Sequence, residues 1–489
     1  MALEEIREER MRKLNILRAD GIDPYPASSA RTHTIAEIVA KFTTIVEGKK
    51  TMVIAGRVRA KREHGGSVFV DCADGSGSMQ LFFKKDILGE AFPFFLETVD
   101  IGDFIEAEGR LFETQRGEKT LEVSRWSMLS KSLLPLPEKW HGLQDVEERF
   151  RRRYLELLMN DEVRLRFEMR SRIISKIRKW HEKHEFLEVE TPIFHQIPGG
   201  TLATPFVTHH NALDIDLYLR VAPELYLKRL LVGGFERVFE MGKSFRNEGI
   251  DANHNPEFTE PECYAAYWDE EQMMAFTEGL FVELAREFGT DGAVMSGEES
   301  IKFTRPFARI SFKELLSRFA LIVDYDAETR DSLAVCAARL GVDAGPNDSK
   351  GTIADMIYKK VCRPYLCEPT FLTHHPYEIS PLAKRWPHQP HEVRRFQLVV
   401  GGMELANGFA ELNDPIDQRA RLVAQEQARA GGEAEAHRMD EDYVEALEYG
   451  MPPAAGLGIG ADRVVMLFTG AKNIREVILF PTMRPKKET

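Results

Sequence analysis

Phe245-Arg246-Asn247-Glu248, followed closely by His254-Asn255-Pro256-Glu257-Phe258, is the stretch on which the fold of this chain turns. Strand-like Arg237-Val-Phe-Glu-Met241 precedes it and Phe258-Thr-Glu-Pro-Glu-Cys-Tyr264 follows it, so it reads as a hairpin between buried strands. An arginine, carboxylates and an imidazole crowded there would each need a partner in a core. They suit a ligand that is flat, aromatic and polyanionic. An adenine ring can stack on Phe258, while the planar fork of Arg246 meets a phosphate. Taken alone, the same residues also fit a surface ion-pair cluster.

Working outward, Asp161–His184 carries apolar residues at helical spacing (Val163, Phe167, Ile173, Ile174, Ile177, Trp180). A strand, Phe186-Leu-Glu-Val-Glu190, and Thr191-Pro192 come next. Beyond residue 200, strand-like runs alternate with helices, the pattern of a large antiparallel sheet flanked by helices in an α+β fold. Residues 289–302 and 326–350 are small, polar and irregular and read as loops.

Residues 51–130 instead follow period two: Met52–Arg59, Ser67–Cys72, Ser78–Phe83, Phe104–Glu108 and Lys119–Ser124 are strands, with a helical segment near Asp86–Leu96 after the third. Five short strands with that helix fit an OB-fold barrel, whose exposed face commonly binds oligonucleotides, though a barrel without ligand has the same pattern. Residues 1–20 read as a charged helix stopped by Gly21. The chain thus divides into an N-terminal helical extension (1–50), the barrel (51–135), a linker (136–160) containing the Pro-punctuated Leu133–Gly142, and a large domain (161–489).

A length of 489 residues, 43 % of them hydrophobic, allows more than one core. Five cysteines without a CxxC pair suit a reducing cytoplasm without structural zinc. The first residues are charged throughout, which is no signal peptide, and no apolar run approaches membrane-spanning length. A net charge of −13 argues against bulk nucleic-acid binding but not against local basic patches. One such patch, Glu147–Tyr154, reads first as a solvated, ion-paired helix face.

Gly456-Leu-Gly458-Ile-Gly460-Ala461 satisfies a dinucleotide fingerprint, with Glu476 about 20 residues on. The context excludes it: a helical pattern, Asp440–Tyr449, and Pro452-Pro453 precede it, and 28 residues after Ala461 are too few for a doubly wound half-domain. Read as a glycine strand entering a helix at Asp462, it places Arg463 at a helix start beside bare backbone, an arrangement suited to phosphate.

With these segments in hand, the chain resembles the class II lysyl-tRNA synthetases, bacterial in type, from end to end. Residues 161–192, 235–264 and 456–468 resemble the three class II motifs. Pro205–Asp214, Ala222–Arg229, Ile379–Lys384 and Asn407–Asp414 resemble the lysine-specific members. The resemblance implies lysine activation with ATP, transfer of lysine to the 3′ end of tRNA(Lys), a homodimer built on the first motif, Mg2+, and anticodon reading by the barrel.

It also implies roles for individual residues. Arg246, Glu248 and Arg463 would be catalytic, Arg246 bridging the amino-acid carboxylate and the α-phosphate. ATP would be met by these three with His254, Asn255, Phe258, Glu404 and Gly460; Phe258 and Arg463 would sandwich the adenine. Lysine would be held by Gly200, Glu224, Glu262, Tyr264, Asn407, Phe409 and Glu411, an acidic set because a buried ammonium needs a counter-charge. Metal would fall to Glu404 and Glu411, and Phe69, Gln80, Arg59 and Arg62, with Glu122 as a weaker candidate, would meet the anticodon.

Two positions depart from the family pattern. Gln397 stands where a second carboxylate is usual, which implies fewer or weaker Mg2+ sites. Glu260-Pro261 stands where apolar residues are usual, and Pro261 should mark a strand irregularity that affects the aim of Glu262. Glu404 and Glu411, seven apart, share no strand face unless Gly408 marks a bulge. Competing functions are a protein-lysylating paralogue, which would lack the barrel, and a non-catalytic RNA- or nucleotide-binding module, which would lose Arg246, Glu248, Glu404 or Arg463.

Overall fold

The computed structural model describes residues 3–48, 50–137, 145–201, 203–296, 299–430 and 438–486. The chain forms two units that divide at 144/145. Of the Pro-punctuated linker, residues 138–142 lie outside the described residues.

In the first unit, five strands (Thr51–His64, Ser67–Ala73, Ser78–Lys84, Phe104–Glu113 and Lys119–Ser130) close a barrel in which the third and fifth pair in parallel. Alternation puts Ile54, Val58, Val70, Leu81, Phe83 and Val123 inside. The expected helix after the third strand is two short ones, Lys85–Leu88 and Ala91–Thr98, broken at Gly89. The N-terminal extension is helical as expected, Leu3–Ala19 first, and Leu17, Ile35, Ile38, Phe42 and Ile45 join the barrel's core.

The second unit is built on a sheet whose main path runs Ala308–Ser311, Thr370–Pro376, Gln389–Val400, Met403–Ala410, Ala454–Ile459, Glu257–Ala266, Arg237–Phe245 and Leu187–Glu188. The interior pairs are antiparallel, as expected, but the outermost pair at each end is parallel, so the sheet is mixed. The strand expected at Phe186–Glu190 is only Leu187–Glu188. Cys263, Ala265, Leu405, Leu457 and Ile459 turn to one face and pack with helices Asp161–Lys183, Glu270–Phe288 and Ala461–Thr469. Alternation turns Glu262, Tyr264, Gly456 and Gly458 to the other face, where helix Glu224–Val232 packs.

Three further expectations are corrected. Residues 145–160 fold with the second unit as helices Val146–Arg151 and Arg153–Met159. Arg151 and Arg152 are ion-paired on the surface as read, but Arg153 is buried and donates to the carbonyls of Arg475, Ile478 and Leu479. Residues 326–350 contain a helix, Arg330–Arg339, started by a Thr329/Ser332 capping box; two buried residues, Leu333 and Ala337, are too few for a period to show. Within 289–302, Ala293–Ser296 and Glu299–Lys302 pair as a small hairpin.

Pro261 produces no irregularity. The register from Arg237↔Ala265 to Phe245↔Glu257 is unbroken. Thr259 donates its N–H to Asp462 at 2.8 Å, so by alternation the Pro261 nitrogen faces the same side, just past the Glu262↔Gly458 pair where the glycine-strand ladder ends. No ladder donor is missed there, and the aim of Glu262 is kept.

Candidate active site

The motif-two hairpin and the motif-three helix meet at one end of the sheet. The Arg246 guanidinium lies over the Phe258 ring, 4.8 Å from its centroid, with Nη2 3.6 Å from Glu260 Oε1. Its buried Nε has no hydrogen-bond partner, nor has Asn255 Oδ1, whose Nδ2 donates to the Glu257 carbonyl. Arg463, one turn past the Gly460 cap, donates Nη1 to the Glu404 carbonyl at 3.1 Å and contacts His254 Nε2 through Nη2 at 2.9 Å. Because a guanidinium only donates, His254 Nε2 accepts, so Nδ1 carries the proton that meets Asp251. Glu248 is exposed on the hairpin loop. Phe258 thus stacks on Arg246, while Arg463 reaches the hairpin through His254.

One residue that ties these parts together was not singled out from the sequence. Asp462, 2 % exposed, accepts from Arg170 Nη1 at 2.5 Å and from the Thr259 N–H at 2.8 Å. It joins the Asp161–Lys183 helix, the strand beside Phe258 and the helix turn bearing Arg463. Its signal in the sequence is slight: an acidic residue in the first turn of a helix is ordinary.

Along the neighbouring strand, the irregularity lies at Leu405 and not at Gly408: Leu398 pairs with Ala406 but Val399 with Glu404. The extra residue restores parity, so Glu404 shares a face with Asn407 and Phe409. Gln397 Nε2 donates to Glu404 Oε2 at 3.1 Å, and the buried Gln397 Oε1 has no hydrogen-bond partner. Among the described residues, no group of three or more His, Cys, Asp or Glu is gathered to hold a metal ion. Glu411 instead pairs with Lys228, its carboxylate 2.5 Å from the ammonium.

Lys228 is the second residue the sequence reading passed over. It is fully buried, one helical turn after Glu224, and bridges that carboxylate to Glu411. Its ammonium sits 5.3 Å from the centroid of Phe409 and 5.9 Å from that of Tyr264. The available signal was a Glu–Lys pair at i,i+4 on a largely apolar helix. Glu262, 5 % exposed, accepts from the Tyr264 hydroxyl at 2.5 Å. Burial, then Glu260 and Glu224, hold Glu262 well above the usual carboxylate range, and burial pushes Glu411 up to about 8. Two carboxylates hold Lys228 above its ordinary value despite burial. Gly200, at φ +100°, packs its backbone on Glu224 and Ala222, with no room for a larger residue. Asn407 accepts from Arg395. The structure therefore brings Gly200, Glu224, Glu262, Tyr264, Phe409 and Glu411 together as a buried acidic cluster.

On the barrel, alternation puts Phe69 outside and not in the core. Arg62, Phe69, Phe82 and Glu122 form one row across four strands, and Asp71, Gln80 and Thr120 the next. Phe69 and Phe82 stack at 4.8 Å, with Phe112 edge-on at 6.0 Å to Phe82. Arg62 is paired with Asp71, and Gln80 Oε1 accepts from Thr120. Arg59 occupies a register irregularity between Val58 and Ala60. An aromatic row flanked by an arginine and an amide has the residue types that stack and pair single-stranded bases.

Comparison with known proteins agrees with both units. Residues 145–484 match the family model for tRNA synthetases class II (D, K and N), and residues 52–129 match that for an OB-fold nucleic acid binding domain. The chain is 50 % identical over 488 residues to a lysine–tRNA ligase of Carboxydothermus hydrogenoformans, covering 99 % of each chain. It is 48 % identical to one of Roseiflexus castenholzii, over the full length of both, and 47 % to one of Syntrophomonas wolfei, over 99 % of this chain and 98 % of that one.

Proposed function

This chain belongs to the class II tRNA synthetases (D, K and N), and we infer that it works as a lysine–tRNA ligase, with ATP and L-lysine as substrates and tRNA as acceptor. The observation that carries the lysine assignment is the buried carboxylate pocket of Glu224, Glu262 and Glu411 beside the Arg246 hairpin. An acidic amino acid would require cations there.

In the first step the lysine carboxylate attacks the α-phosphate and pyrophosphate leaves; in the second a terminal ribose hydroxyl of tRNA attacks the lysyl carbonyl and AMP leaves. Neither step needs a protein nucleophile, so position and charge supply the rate. Arg246, whose Nε is unpartnered, would bridge carboxylate and α-phosphate. The adenine would lie against Phe258, with Arg463 and His254 toward the outer phosphates and Glu248 and Asn255 on the nucleoside.

Mg2+ would be held by Glu404 with Gln397, whose amide oxygen is a neutral ligand that binds a hard cation more weakly than a carboxylate. Bound there, it would neutralise charge between phosphates. Glu411 we assign to lysine alone, because it sits with Lys228 and Glu224 and stands about 20 Å along the strand from Glu404. Gln397→Glu should tighten Mg2+-dependent ATP binding measured by calorimetry; an unaltered Mg2+ dependence would count against this assignment.

Phe69, Gln80, Arg62 and Arg59 would read the anticodon on the barrel's outer face. Exposed Leu165, Leu187, Ile193 and Phe194, on and beside the motif-one helix, support a homodimer through that surface. The described residues contain no helix long and apolar enough to cross a membrane, and a cytoplasmic enzyme is the reading that fits a tRNA substrate. A barrel of this kind also disfavours the protein-lysylating alternative. The deciding experiment is ATP–pyrophosphate exchange across an amino-acid panel, with and without tRNA. Exchange with lysine is expected, and its absence would overturn the reading.

A further inference from the structure

We propose that Lys228 is a specificity-determining residue of the amino-acid pocket, its buried ammonium setting the pocket's charge so that one lysine molecule completes it. This rests on the lysine-ligase reading above.

Lys228 is fully buried on helix Glu224–Val232 and contacts carboxylates from two elements, Glu224 on its own helix and Glu411 at the end of the Met403–Ala410 strand. Such a bridge holds the helix to the sheet and keeps two acids from repelling each other. Among the described residues Glu262 forms no ion pair and has the Tyr264 hydroxyl as its partner, and Glu260 has Arg246 3.6 Å away. Arg395, held by Asn407, Ile379 and Ser380, is the other cation whose field reaches Glu224.

Formal charges follow directly. With every group ionised, the state a bound ammonium requires, four carboxylates (Glu224, Glu260, Glu262, Glu411) face three cations (Lys228, Arg246, Arg395), a net charge of minus one. Lysine brings two ammonium groups and one carboxylate, a net positive charge of one, and the filled pocket is neutral. A neutral amino acid would meet either acids that keep their protons or a buried charge left uncompensated, which is costly in a dry site. Without Lys228 the cluster would carry two negative charges, and lysine would leave one of them unpaired. The alternative, that Lys228 only staples helix to sheet, makes a different prediction: its loss would weaken folding, and lysine and ATP alike.

The test compares lysine dissociation constants by calorimetry and ATP KM by lysine-dependent exchange. Lys228→Met should raise the lysine constant about tenfold or more while ATP KM stays within about twofold. Glu411→Gln alone leaves the cluster neutral and should also weaken lysine binding. Adding Lys228→Met to Glu411→Gln returns one negative charge and should recover lysine affinity by about threefold or more relative to Glu411→Gln. That comparison decides the matter even if Lys228→Met by itself does not fold. A folded double variant that binds lysine no better than Glu411→Gln overturns the proposal, as does a folded Lys228→Met with wild-type lysine affinity. Wild-type protein that shows no lysine-dependent exchange would instead overturn the lysine reading.

Discussion

Gly456→Ala should damage the lysine end of the site and spare the nucleotide end. Gly456 lies directly across from Tyr264 on one neighbouring strand and Phe409 on the other. A Cβ there would meet Glu411 Oε1 at 2.3 Å and Tyr264 Cε1 and Cδ1 at 2.4 and 2.8 Å. Neither neighbour can withdraw freely. Glu411 is 1 % exposed and held by Lys228, and Tyr264 is 2 % exposed and tied to Glu262. Forcing a methyl into packed surroundings costs about 1–3 kcal/mol. If that strain is relieved by moving Glu411 and Tyr264 off the substrate ammonium, lysine KM rises roughly 5- to 150-fold at about 1.4 kcal/mol per tenfold.

Gly458 is the internal control, two residues along the same strand and on the same face. Its nearest neighbours to a Cβ are Glu260 Oε1 at 3.6 Å and the Asn407 carbonyl at 3.9 Å, both ordinary contacts. Gly458→Ala should therefore keep lysine KM within about threefold, a difference of under 1 kcal/mol. The assay is ATP–pyrophosphate exchange with lysine varied at saturating ATP, then the reverse, with a thermal melt of each variant. A folded Gly456→Ala enzyme with wild-type lysine KM, or equal lysine defects in both variants, would refute the steric argument.

Asp462→Asn should weaken the tie among Arg170, Thr259 and the Arg463 turn by about 1–3 kcal/mol and raise ATP KM more than lysine KM; equal changes in both would show that Asp462 only supports folding. For pH, the free pocket holds Glu411 at about 8 and Glu262 well above the usual carboxylate range, so their protons must leave when an ammonium enters. Lysine binding is therefore strongest above about 8, weakens as pH falls through that value, and releases protons, measurable by calorimetry in buffers of different ionisation enthalpy; a pH-independent constant with no proton release would contradict this. Phe69→Ala should cost about 1–3 kcal/mol of base stacking, raising KM for tRNA while tRNA-independent exchange is unchanged; an effect on exchange would place Phe69's role elsewhere.

Much of the fold was legible because its signals are local. Alternation in residues 51–130 marked the barrel, and the Gly21 stop and the glycine strand entering a helix before Arg463 lie where the residue types put them. The helix Arg330–Arg339 escaped notice because it buries only two side chains. Pro261 looked like a strand defect because a sequence does not show where the neighbouring ladder ends. Glu404 and Glu411 looked out of phase because the extra residue at Leu405 is a fact of pairing, not of composition.

What the sequence by itself determined is which residue types are available and the elements that carry them: an arginine and a phenylalanine flanking a hairpin, a glycine strand entering a helix, and carboxylates in three separate segments. Tertiary structure decided which of those charges meet. Lys228 and Glu411 stand 183 positions apart yet lie 2.5 Å from each other, and Asp462 reaches Thr259 from 203 positions away. A charged side chain acquires its role from the burial and partners that surround it, and those come from segments that local periodicity does not relate.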